Sequence, residues 1–130
     1  VSSEGDSILS LTESLRNLVS AVDFAKKTFK FTKLFAVGHS WGGYAVTNIA
    51  NYRDDFEKVI AIAPFINIES CIKGFIGDKT IIHKIVSSRI LKYEKKNATE
   101  FYGSSAVDSL SKSKAKYLLL GNQLIRNYIF

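Results

Sequence analysis

The sequence predicts an α/β protein in which parallel strands are joined by crossover helices. Two observations carry this expectation. Short apolar runs without alternation, at 34–37, 59–63 and 117–121, read as strands buried on both faces. Segments of helical period lie before and between them, and the connections around the first two are short.

The first element is a helix over 11–28. Ser10-Leu11-Thr12-Glu13 fits a capping box, with the serine capping the first turn and the glutamate reaching back. Leu11, Leu15, Leu18, Val22, Ala25 and Phe29 then recur at steps of three and four, which draws one apolar stripe. The strand at 34–37 runs into a turn over 38–43, and a helix over 44–51 leaves it. Pro64 stops the second strand. No period is clear over 67–78. Asp78 is placed to cap a further helix, whose Ile81, Ile82, Ile85, Val86, Ile90 and Tyr93 share one face. The stretch 97–116 is polar and loop-rich, with one helical turn near Asp108, and the third strand follows. There is no internal repeat and no sign of a second domain.

Composition narrows the function. At 130 residues, with 46% hydrophobic and 23% charged residues, the chain reads as one globular domain rather than a disordered segment. The single cysteine, Cys71, cannot form an internal disulfide, and one Cys with two His makes no zinc constellation, so no metal and no cofactor is expected. No apolar run is long enough to span a membrane, and the polar start "VSSEGDSILS" is not a signal peptide, so a cytoplasmic location is the default. The net charge of +6 is spread over several segments, with mild clusters at Lys92, Lys95, Lys96 and at Lys112, Lys114, Lys116; these read as solvated surface, not as a nucleic-acid site.

The chemistry concentrates in Gly38-His39-Ser40-Trp41-Gly42-Gly43. A serine hydroxyl is a weak nucleophile until a base takes its proton, and its attack builds an oxyanion that needs donors. A sharp strand-to-helix turn exposes the side chain and turns backbone N–H groups towards the developing charge. Such a turn crowds the positions two before and two after the serine, which calls for glycine at Gly38 and Gly42, while Gly43 lets the helix pack close to the sheet.

In this strand–turn–helix context the motif resembles the nucleophile elbow of the α/β-hydrolase family, with wording similar to many esterases, lipases and serine peptidases. The resemblance covers nearly the whole chain, and implies the middle portion of that fold with a helical cap insert over 67–116. It implies that Ser40 is the nucleophile and the Trp41 backbone N–H an oxyanion-hole donor, with Gly38, Gly42 and Gly43 as the structural glycines of the elbow. His39 then has a structural or pocket-lining role. The implied substrate is a small-molecule ester, or less readily an amide, cleaved through a Ser40 acyl-enzyme; Phe75, Ile76 and the helical stripe of the insert point to an apolar acyl group. The alternative is a truncated or non-catalytic relative that binds a ligand or partner.

The rest of the triad is not where the family puts it. An aspartate is expected within a few residues of Gly121 and a histidine beyond it, but the chain continues "NQLIRNYIF". Within the chain the weak candidates are Glu69 as a displaced acid and His83 as a base in an unusual place. The economical expectation is a partial chain, with its other strands, acid and histidine beyond its ends. Sheet edges left by missing strands would favour self-association.

Overall fold

The computed structural model describes residues 10–77, 81–97 and 100–121. Helix α1, Leu11–Thr28, occupies the predicted span. Strand β1, Phe35–His39, leads through Ser40 into α2, Trp41–Asn48, which tightens into a 3-10 turn over Ile49–Asn51. Strand β2, Lys58–Ile62, is followed by α3, Ile68–Ile76, α4, Ile81–Asn97, and α5, Ala106–Lys112, before β3, Lys116–Leu120. The three strands are parallel in the order β1-β2-β3. This is the α/β architecture expected from the alternation of strand and helix.

One face of the sheet is packed. Ala36, Val59 and Ala61 point at α2 and are buried, and α1 and α5 pack against α2. Leu15, Tyr44, Ile49 and Val59 have no exposed surface, each stabilising the fold by roughly 2 kcal/mol through removal of apolar area from water.

The other face departs from the expectation of strands covered on both sides. The register aligns Val37 with Ile60 and Ile60 with Leu118, and Val37 and Leu118 are 67% and 51% exposed. Phe35 and Leu120 flank this row and are also exposed. Parallel sheets are ordinarily covered on both faces because crossover helices pack there. Among the described residues the better-buried strand positions share the face that packs on α2, so β1 alternates buried with exposed and β3 half-buried with exposed.

Two elements differ from their predictions for local reasons. Helix α3 fills a stretch where no period was expected. It is only nine residues long, its buried Ile68 and Ile72 make a single i,i+4 pair, and its capping box uses Asn67 with Ser70 rather than a glutamate. In α4 most of the predicted apolar stripe faces water, although its Val86 and Ile90 are half-buried. Ile81, Ile82, Ile85 and Tyr93 are exposed, while Ile90, Leu91 and Glu94 turn inward. The predicted cap Asp78 lies outside the described residues.

The capping of α1 also has a different donor of charge. Ser10 Oγ accepts from the Glu13 N–H at 2.9 Å, as a cap should. Glu13 does not complete the box; its carboxylate takes Arg16 at 2.9 Å instead. The first-turn donors are satisfied by Glu94, as described below.

Candidate active site

Ser40 stands at the carboxyl end of β1 with φ 54° and ψ −108°, a strained conformation for a residue with a side chain. Its N–H donates to the Ile62 carbonyl at 2.9 Å, which ties the turn to the end of β2. Ala63, the next residue after β2, has φ 45° and donates its N–H to Leu120 O at 2.6 Å. The three strand ends are thus joined in sequence just where the serine leaves the sheet.

The glycines around the turn do different things. A Cβ at Gly38 would overlap the Gly42 carbonyl, so the chain can fold back on itself only with glycine there. At Gly43 a Cβ would sit 2.9 Å from Pro64 Cα, which is the close approach of α2 to the end of β2. The crowding expected at Gly42 is not found: a Cβ there meets nothing within 4 Å. The turn bends so that the carbonyl of Gly42, not its Cα, faces Gly38.

The backbone N–H groups of Trp41, Gly42 and Gly43 have no acceptor among the described residues; the first helical bond runs from Tyr44 N to Ser40 O at 2.9 Å. An anion beside Ser40 would meet these donors and the positive end of α2. No hydrogen bond reaches the Ser40 hydroxyl among the described residues. Glu69 lies exposed in the first turn of α3, and His83 is half-buried on α4, so the two candidate partners sit on different helices and neither is bonded to that hydroxyl. His39 ends β1 on its exposed face.

Trp41, the residue after the serine, walls two hollows, neither of them lined by Ser40 itself. One, of about 300 Å³, runs between α1 and α2 past Leu18, Val37 and Val46. The other, of about 180 Å³, is closed by Ile68, Ile72, Phe75 and Ile76 from α3 and by Ile90 from α4, with Cys71 and Glu94 in its wall. Phe75 and Ile76 therefore line a cavity as expected, whereas Ile81, Ile82 and Ile85 are exposed and take no part in this one. Burial pushes the Cys71 thiol up to about 11, with the Glu94 carboxylate adding to the effect.

Glu94 is the polar centre that the sequence did not announce. It is 4% exposed, and its carboxylate accepts from Ser10 Oγ at 2.9 Å, Leu11 N at 2.8 Å and Thr12 N at 3.0 Å. Its negative charge sits at the amino end of α1, where the helix dipole favours it. Burial, and then this carboxylate, push the neighbouring Tyr44 hydroxyl well above the usual range for a phenol. The only sequence signal was an acidic residue at the inward step of Ile90, Leu91 and Glu94.

The family model described as serine aminopeptidase, S33, matches residues 3–123. The chain belongs to the serine aminopeptidase S33 family. Its membership places it among the α/β-hydrolases, and the chemistry of the family is hydrolytic. The three parallel strands and their helices agree with part of that fold. No curated protein and no solved structure matches the chain. Among the described residues of this S33 family member there is no group of side chains that could hold a metal ion and no helix long and apolar enough to cross a membrane.

Proposed function

We propose that the chain carries the nucleophilic serine of a hydrolase that cleaves an ester or amide bond. Ser40 Oγ would add to the carbonyl carbon and pass its proton to a base. The N–H groups at the start of α2, Trp41 foremost, would stabilise the tetrahedral oxyanion. Collapse would expel the alcohol or amine and leave an acyl-Ser40 ester, which water then hydrolyses. The apolar hollow of α3 and α4 beside Trp41 would take the acyl group. Glu69 and His83 remain the acid and base candidates within the chain.

The observation that carries this reading is the positive φ of Ser40 in a strand-to-helix turn that only glycine at Gly38 permits. Strain of this kind costs roughly 1–3 kcal/mol and is characteristic of functional positions.

A second reading is a non-catalytic relative that keeps the turn and binds a ligand or partner. It is favoured by the Ser40 hydroxyl having no hydrogen-bond partner among the described residues. Intact-mass spectrometry after fluorophosphonate treatment separates the two. A single adduct that disappears in Ser40→Ala supports the hydrolase. A folded chain that takes no adduct supports the binding protein.

A further inference from the structure

We propose that the end of the molecule opposite Ser40 docks on an anionic phospholipid bilayer. The surface is built where α1 stops. Phe29 caps the helix in an extended conformation, its N–H bonded to Ala25 O at 2.8 Å, and the chain then runs without regular structure to β1. Every residue from Lys26 to Lys33 is exposed. Phe29 is 61% exposed, and with Phe31, Lys26 and Lys30 it lines an open hollow of about 360 Å³.

Charge and apolar surface coincide here. The carboxylates of this end are occupied: Asp55 holds Lys26 and Arg53, Asp23 holds Arg53, Glu57 holds Lys33 and Asp54 holds Lys114. Lys27, Lys30, Lys58 and Lys116 have no carboxylate partner among the described residues. Lys58 lies 6.0 Å over the ring of exposed Phe35, at the start of β1. A single exposed aromatic needs no explanation, but Phe29, Phe31 and Phe35 gathered among unpaired ammonium groups do.

An anionic bilayer answers both features. Lysines near its surface are attracted by the headgroup charge, and the rings enter the boundary between headgroups and acyl chains. A dissolved polyanion would use the lysines and leave the rings in water. β1 carries the chain about 13 Å from Phe35 to His39, so a docked molecule would hold Ser40 away from the membrane, open to soluble substrate.

Vesicle flotation tests this, because aggregated protein does not float. The intact chain should float with phosphatidylcholine vesicles containing phosphatidylglycerol, and not with phosphatidylcholine alone. Added salt should release it. Removing one lysine charge should lower the partition coefficient roughly fivefold, and K27Q/K30Q roughly 25-fold. F29S/F31S should weaken flotation while retaining its salt dependence. These positions are exposed, so the variants should keep the wild-type circular dichroism spectrum. Equal flotation with neutral vesicles would overturn the proposal. So would flotation unaffected by either variant, or binding to single-stranded RNA as tight as to the vesicles and indifferent to F29S/F31S.

Discussion

Ser10 and Glu94 are 84 residues apart in the chain and 2.9 Å apart across a buried hydrogen bond, the serine hydroxyl donating to the carboxylate. The same serine accepts from Glu13 N–H, so one hydroxyl links the cap of α1 to a helix from the far half of the chain. Replacing Glu94 with alanine leaves Ser10 Oγ and the N–H groups of Leu11 and Thr12 without their acceptor. The expected loss is about 2–4 kcal/mol, since each stranded buried donor costs about 1–3 kcal/mol before water enters the cavity. Glu94→Gln, with one acceptor oxygen, should lose about half as much. Urea denaturation measures both.

The glycines of the turn should rank by what surrounds them. Gly38→Ala cannot be accommodated without opening the turn, so it should cost about 3 kcal/mol or more and abolish any fluorophosphonate adduct. Gly43→Ala must push against Pro64 and should fall between. Gly42→Ala meets open space in the first turn of a helix, where alanine is preferred by up to about 1 kcal/mol. Thermal melts of the three variants check the order, and a Gly42→Ala protein as unstable as Gly38→Ala would contradict this geometry.

Cys71 should be slow to alkylate. With its pKa raised from 9.0 to about 11, it carries roughly 100-fold less thiolate at pH 8 than an ordinary cysteine. The iodoacetamide rate on the folded chain should therefore climb with pH until about 11, and unfolding in urea should restore the ordinary rate at pH 8. Equal rates in the folded and unfolded chain would show that the thiol is not held by burial.

Asp55 should contribute stability at neutral pH and lose it in acid. The guanidinium of Arg53 beside it, and then the Lys26 ammonium, hold its carboxyl far below the usual carboxylate range, against the opposing effect of burial. A depressed folded pKa means that the contribution is complete above the unfolded value near 4 and fades as pH falls towards the folded one. Asp55→Asn should cost about 1–2 kcal/mol at pH 7, less at high salt, and the deficit should shrink below pH 4. A deficit unchanged between pH 7 and pH 3 would assign the effect to hydrogen bonding alone.

The bare face of the sheet should make the chain associate. Val37, Ile60 and Leu118 form one apolar row across three strands, with β1 and β3 at the sheet edges. Sedimentation velocity should show a mass that rises with concentration, and Val37→Lys should return it to a monomer. A wild-type chain that stays monomeric across the range would remove this expectation.

Legibility in the sequence followed the range of the forces involved. Helix α1 could be read to the residue because its cap and its stripe are local, and the need for glycine at Gly38 because its clash with the Gly42 carbonyl lies within five residues. The open space at Gly42 and the approach of Gly43 to Pro64 depend on how α2 docks on β2. Helix α3 could not, since a nine-residue helix with one buried i,i+4 pair leaves almost no periodic signal. The apolar stripe of α4 was visible but its orientation was not, because which face turns inward is decided by the bonds of Glu94 to α1. In the sequence Lys26 to Lys33 is part of a dispersed charge; only the pairing of the nearby carboxylates shows which lysines are left over. The partners of Ser40 were not legible, and the geometry joins neither Glu69 nor His83 to it.

The hydrogen bond from Ser40 N to Ile62 O has a consequence for how the turn breathes. Together with Ala63 N to Leu120 O, it extends the pairing of the strands one residue past each ladder. The Ser40 amide can then exchange its proton with solvent only when β1 and β2 part. It should be protected to nearly the same degree as the amides of Val59 and Ala61 at the centre of the sheet. The strained residue thus belongs to the same cooperative unit as the sheet, and the strain is held for as long as the sheet remains folded.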